Sequence, residues 1–249
     1  MGAQSSAQAG SQARSPVALL TKDGRPARTA LFALLALAVA MAVFAVFPGL
    51  DIEIARRFYL VEGSSFGARS DTALVLLRDI GFYLPIAVLG LTALAWLAGR
   101  RRRRLGAILT GRRVLFLGLS LALGPGLLVN GVLKEVSHRP RPIQVTEFGG
   151  PSEFRPWYAF DGGCSRNCSF VSGETAGATW LLAPASLLPT PWSALAISGA
   201  ALFALAVALL RLAFGGHFAS DAVGAALLTL AMLLAIAWAL RRGGGSPQL

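Results

Sequence analysis

The chain has 249 residues, 55% hydrophobic and 14% charged, which is too few charges for a soluble domain of this size and too much apolar residue for disorder. Its formal net charge of +11 does not mark a nucleic-acid binder, because segments 1–28, 99–113 and 241–249 hold 13 of the 23 Lys and Arg with a single acid, Asp23. Bases gathered in tails and one short loop are the cytoplasmic signature of a polytopic membrane protein.

Residues 1–28 are rich in Ala, Gln, Ser and Gly and have no apolar core, so a disordered cytoplasmic tail is expected, with no signal peptide. The first apolar run, 29–50, then serves as signal anchor. A second run, 73–98, contains Arg78 and Asp79, which places its lipid-embedded part after them. The arginine run Arg100–Arg104 follows, a loop suited to anionic phospholipid at the cytoplasmic surface. Further runs at 114–133, 173–189, 192–211 and 219–240 approach the ~20 residues a bilayer core requires. The fourth is short and holds Pro184, so its first turn is expected to be shielded by protein. The reading is an all-α polytopic membrane protein, a six-transmembrane-helix bundle forming one domain over 29–240, with a second cytoplasmic tail at 241–249. Ala-, Gly- and Arg-rich composition behind a signal anchor points to a bacterial inner membrane. The sequence sets no oligomeric state.

A long connector, 143–170, joins the third and fourth runs on the side the charge count makes extracytoplasmic, and its length suits a lid or recognition element. It carries both cysteines, Cys164 and Cys168, for which a disulfide is the expectation outside the cytoplasm. The two histidines lie elsewhere in sequence, so no metal site and no cofactor are expected. Arg139, Arg155 and Arg166 read as outer-loop residues that either meet a lipid's anionic head group or, the favoured reading, are solvated, and Trp157 and Tyr158 as an interfacial aromatic belt.

The same side of the membrane receives three polar clusters: KEVSHRPRP at 134–142, SFVSGETA at 169–176 and RLAFGGHFASD at 211–221. Ionisable residues at helix ends facing a bundle interior are functional candidates. Lys134, Arg141 and Arg211 supply three cations, and the guanidinium fork suits a pair of phosphate oxygens. Ser172 and Gly173 open a helix, where free backbone N–H groups and the helix dipole favour an anion. His217 and Asp221, four apart, share one helical face, so the carboxylate can hold one ring nitrogen and leave the other free to attack.

These residues resemble the type-2 phosphatidic acid phosphatase superfamily. Its first motif, Lys, six residues, Arg-Pro, matches Lys134, Arg141 and Pro142; its third, Arg, five residues, His, three residues, Asp, matches Arg211, His217 and Asp221. The second motif, Pro-Ser-Gly-His, is present as Val171-Ser172-Gly173-Glu174. The resemblance implies a metal-independent membrane lipid phosphatase in which His217 attacks phosphorus to form a phosphohistidine and Asp221 orients it. It likewise implies that Lys134, Arg141, Arg211, Ser172 and Gly173 hold the phosphate. Glu174 stands where the family places the histidine that protonates the leaving oxygen. A protonated carboxyl there can do the same, an ionised one can only activate water, and His138 is a candidate auxiliary acid. Leaving groups that need little protonation then suit the site best. Polyprenyl diphosphate or the sugar phosphate of lipid A is favoured over phosphatidylglycerophosphate or phosphatidic acid. Two alternatives are a lipid-to-lipid phosphotransferase, which shares the covalent step, and an inactive lipid-binding scaffold.

Overall fold

The computed structural model describes residues 25–63, 65–99, 109–189 and 191–242. The expected N-terminal tail up to residue 24, the arginine run Arg100–Arg104 with its lipid contact, and the tail from 243 lie outside the described residues.

Helix α1, Arg25–Val46, stops at Phe47-Pro48, where proline cannot continue the ladder, and the chain turns by 88° into α2, Gly49–Arg56. A two-residue hairpin, β1 Tyr59–Leu60 with β2 Ser65–Phe66, leads to α3, Thr72–Gly99. Helix α4, Gly111–Val136, is α-helical to Leu121 and then widens into a π-helix over Ala122–Leu133. Pro125, which has no N–H to give, lies in that widened stretch, and the Asn130 amide donates to its carbonyl at 2.6 Å. Widened turns of this kind concentrate at functional sites. Helices α5 (Gly173–Trp180), α6 (Leu182–Ser186), α7 (Trp192–Ala213) and α8 (Ala219–Arg242) follow among the described residues.

The six-span expectation is corrected here. Among the described residues four helices, α3, α4, α7 and α8, are long and apolar enough to cross a membrane, and the bent α1–α2 pair makes a fifth only if taken as one broken span. The predicted fourth span, 173–189, divides at Leu181 into pieces of 8 and 5 residues. At 1.5 Å per residue, α5 reaches only about 12 Å against a hydrocarbon core of about 30 Å. It is instead an internal helix: Thr175 to Trp180 are all buried, and the Trp180 indole donates to Ser120 at 2.9 Å.

Small residues bring the helices together, as expected where lipid removes the usual hydrophobic drive between them. A Cβ on Gly177 would lie 3.3 Å from Pro85 of α3, and one on Gly81 would lie 3.1 Å from Val207 of α7. Helix α8 packs along α1 in the same way, with Gly224 beside Met41. The result is a cage in which α5 is the central strut and the ends of α3, α4, α7 and α8 that carry Arg78, Lys134, Arg211 and Asp221 meet.

Candidate active site

At that end of the cage lies a cavity of about 470 Å³ whose polar wall is formed by Arg78, Lys134, Arg141, Arg211, Glu174 and His217. Helix α4 contributes Lys134 from its last turn, the loop behind it Arg141, and α7 contributes Arg211. Residues far apart in sequence thus come to one wall. Gly173, the first residue of α5, also lines the cavity; a Cβ there would run into the Asn130 amide and lie 3.0 Å from Lys134 Nζ. Only glycine lets the start of α5 approach the lysine so closely. Ser172 does not line the cavity: its hydroxyl is the N-cap of α5, accepting from the Thr175 N–H at 3.3 Å and the Thr175 hydroxyl at 2.8 Å.

His217 lies just beyond α7, after a turn through Gly215, whose φ of +58° lies in the left-handed region. A side chain on Gly215 would collide with the Phe66 ring, and one on Gly216 with the Arg211 guanidinium, so both glycines are required by close packing. The imidazole is 2% exposed, and its Nδ1 lies 2.7 Å from the Ser169 carbonyl oxygen. A carbonyl can only accept, so Nδ1 carries the proton and Nε2 keeps its lone pair. Asp221 Oδ2 lies further from Nδ1, at 3.6 Å. The carbonyl therefore fixes the tautomer, and the carboxylate sits behind as a charge. Burial deprives the imidazolium of water and holds His217 well below the ordinary histidine range, at about 3, with Asp221 pulling upward and Arg211 adding to the depression.

Asp221 is itself held from four sides. It accepts from the Ser169 hydroxyl at 2.5 Å, the Phe218 N–H at 2.8 Å and Arg139 at 2.6 Å, and faces His217. Arg139 corrects the solvated-loop expectation: its side chain is wholly buried between Asp221 and Asp51 and lies over the Phe218 ring at 4.5 Å. Asp51, from α2, also accepts from the Ser220 N–H at 2.9 Å and the Ser220 hydroxyl at 2.6 Å. Trp157 likewise packs inward, donating to the Met41 carbonyl at 3.0 Å and stacking on Phe170. Arg155 pairs with Glu153 and Asp161, and Arg166 is exposed.

Glu174 bridges two guanidiniums, with Oε1 3.4 Å from Arg78 Nε and Oε2 3.3 Å from Arg211 Nε. Oε1 accepts a hydrogen bond from Arg78, whereas the contact of Oε2 with Arg211 is an ion pair whose geometry makes no hydrogen bond. His138 does not line the cavity; its Nδ1 donates to the Cys164 carbonyl at 2.9 Å. Cys164 and Cys168 are joined in a disulfide. The sequence reading missed Arg78, Asn130 and Asn167 in the cavity wall and Asp51, Arg139 and Ser169 behind it. A charged residue inside an apolar run was the available signal for Arg78. For Asn167 and Ser169, in a polar loop, there was none.

The opposite wall is apolar. Phe82, Pro85 and Ile86 of α3 face Leu121, Pro125 and Gly126 of α4, and Phe82 and Ile86 are exposed on a membrane-spanning helix. An amphiphile can therefore place an anionic head at the cations while its chains remain beside α3. Fold and cavity together suit a membrane enzyme that acts on the phosphate of a lipid through histidine.

The chain belongs to the PAP2 superfamily, whose sequence pattern matches residues 113–243. It is 36% identical over 210 residues to a lipid A 4'-phosphatase of Rhizobium etli, covering 79% of this chain and 81% of that protein. It is 35% identical over 181 residues to a lipid A 4'-phosphatase of Francisella tularensis subsp. novicida, covering 72% of this chain and 81% of that protein. A crystal structure of a transmembrane PAP2-type phosphatidylglycerolphosphate phosphatase from Bacillus subtilis shares the fold, with a TM-score of 0.53 and 20% identity, over 87% of this chain and 98% of that one.

Proposed function

We propose that this membrane lipid phosphatase removes a phosphate monoester from the sugar headgroup of lipid A, at the extracytoplasmic face of a bacterial inner membrane. The observation that carries the activity is one cavity holding four cations and a neutral imidazole against an apolar wall. The substrate class rests on the likeness to lipid A 4'-phosphatases across most of the chain. The face rests on charge: Arg112 and Arg113 begin α4 at the end away from the cavity, and Arg112 donates to the Leu240 carbonyl there at 2.6 Å.

In the proposed reaction His217 Nε2 attacks phosphorus while the P–O bond to the sugar breaks, and the leaving oxygen takes the bond electrons and a proton from water. Lys134, Arg141, Arg211 and Arg78 neutralise charge on the phosphoryl oxygens. Burial lowers Arg141, but a guanidinium stays charged at any working pH. As Nε2 bonds to phosphorus the ring becomes cationic, and the Asp221 charge 3.6 Å away gains value. Water then attacks the phosphohistidine, releasing phosphate and restoring the neutral ring.

Glu174 acts in this scheme as the anion that holds Arg78 and Arg211 until substrate arrives, so it competes with the phosphate it helps to receive. Glu174→Gln removes that competing charge. Inorganic phosphate should inhibit the variant about tenfold more tightly, because a full charge beside a bound dianion is worth on the order of 1–2 kcal/mol after screening. Weaker phosphate inhibition with unchanged kcat would overturn this role.

The depressed pKa of His217 sets the pH behaviour. Its neutral form is needed for attack and persists as pH falls until about 3, so the acid limb of kcat/KM above pH 5 belongs to the substrate phosphate, whose second ionisation lies near ~6. A thiophosphate ester, which ionises lower, should move that limb downward. A limb fixed at the ordinary histidine value with both substrates would be the contrary result. The same depression means that the stability His217 contributes is complete above about 6.5 and is lost as pH falls from there through about 3.

The reading is tested by phosphate release from a lipid panel by detergent-purified protein, with mass spectrometry of the products. Lipid A should lose one phosphate, with the 4' position identified by fragmentation, and phosphatidic acid should react more slowly. Preference for phosphatidic acid would remove the lipid A assignment while leaving the phosphatase standing.

A further inference from the structure

The five-residue ring Cys164–Cys168 lies against the segment that carries two of the cavity's cations, and its contacts run to that segment. The Cys164 N–H donates to the His138 carbonyl at 3.1 Å, His138 Nδ1 donates back to the Cys164 carbonyl, and the Cys168 N–H donates to the Lys134 carbonyl at 3.3 Å. Inside the ring, Asn167 has φ +51°, a left-handed conformation that asparagine adopts more readily than most residues. From that position its side-chain oxygen accepts from Lys134 Nζ at 3.4 Å, its carbonyl accepts from Arg141 Nη2 at 2.8 Å, and it lines the cavity beside both.

Long cationic side chains lose rotamer freedom when fixed, a cost falling on phosphate binding unless it is met beforehand. We infer that Asn167, held in place by the Cys164–Cys168 disulfide, is a positioning residue that presets Lys134 and Arg141 for the phosphate, so that phosphate affinity depends on the oxidised ring. This rests on the phosphatase reading above. The dependence is on covalent closure of the ring. A dithiol such as dithiothreitol reduces the bond to two thiols and is itself oxidised to its cyclic disulfide, and the reduced ring then no longer fixes the Asn167 backbone.

Full-length protein in detergent is titrated with inorganic phosphate by phosphorus NMR, in parallel with lipid phosphate release. Asn167→Ala, which keeps the disulfide, should weaken phosphate binding about tenfold, equal to ~1.4 kcal/mol. Reduction with dithiothreitol, or the Cys164→Ser/Cys168→Ser pair, should weaken it at least as much, because the Arg141 contact is lost as well. A merely structural role would lower binding independently of Lys134. The positioning role requires that Asn167→Ala add nothing in a Lys134→Ala background. Binding within about twofold of wild type in both Asn167→Ala and the reduced protein overturns the inference while lipid phosphate release by wild type stands. Wild-type protein that neither binds phosphate nor releases it from any lipid overturns the phosphatase reading, and this inference with it.

Discussion

His217→Ala protein will release no phosphate above background, a loss of about 10⁴-fold or more, as expected when the nucleophile of a covalent mechanism is removed. No other imidazole can take its place: His138, the only other histidine in the chain, donates to the Cys164 carbonyl and does not line the cavity. The variant should still bind phosphate, because Arg78, Lys134, Arg141 and Arg211 are untouched, and this retained binding shows that the cage is folded. In wild type, quenching turnover into base should trap a phosphoenzyme whose P–N bond survives base and breaks in acid, and His217→Ala should trap none. Asp221→Asn should fall between the two. The Ser169 carbonyl still fixes the tautomer in that variant, but the charge that steadies the cationic ring is gone. Phosphate release by His217→Ala within tenfold of wild type would exclude attack by this residue.

Legibility from sequence followed the range of each signal. Helical runs are local, and α3, α4, α7 and α8 stand within a few residues of their expected bounds. Lys134, Arg141, Arg211 and His217 were marked by spacing within short motifs, and the fold brings them to one wall with Arg78, which was not. The fourth span failed because hydropathy measures composition and not length along one axis. Residues 173–186 are apolar because they are buried in protein, and the break at Leu181 divides them. Arg139 failed for a related reason. A charge in a polar loop is ordinarily solvated, and only the bend at Pro48, which turns α2 and Asp51 toward it, makes its burial affordable. The contact of Ser169 with His217 was unreadable in principle, since it is made by the carbonyl, identical in every residue, while its hydroxyl reaches Asp221 only through the fold.

Arg139→Gln is expected to be the most damaging substitution outside the cavity. The guanidinium is 0% exposed, between Asp51 at 1% and Asp221 at 0%, and it donates to both, to the Ser220 hydroxyl at 2.8 Å and to the Arg155 carbonyl at 2.9 Å. Glutamine leaves two buried carboxylates without a counterion, and breaking a buried pair in this way costs about 3–5 kcal/mol. Arg139→Lys keeps the charge, but an ammonium cannot fork between two carboxylates, so its loss should be intermediate. Asp51→Asn tests the arithmetic from the other side. Two carboxylates and one guanidinium leave one negative charge in excess, and the amide removes that excess while its oxygen can still accept from the Ser220 N–H. It should therefore shift the unfolding midpoint far less than Arg139→Gln does. Because Arg139 reaches the reaction only through Asp221, Arg139→Lys should lower kcat and leave phosphate affinity within about twofold of wild type. Thermal unfolding measured beside phosphate binding separates the two effects. Equal midpoints for Asp51→Asn and Arg139→Gln would mean that the charge balance around Arg139 does not govern stability.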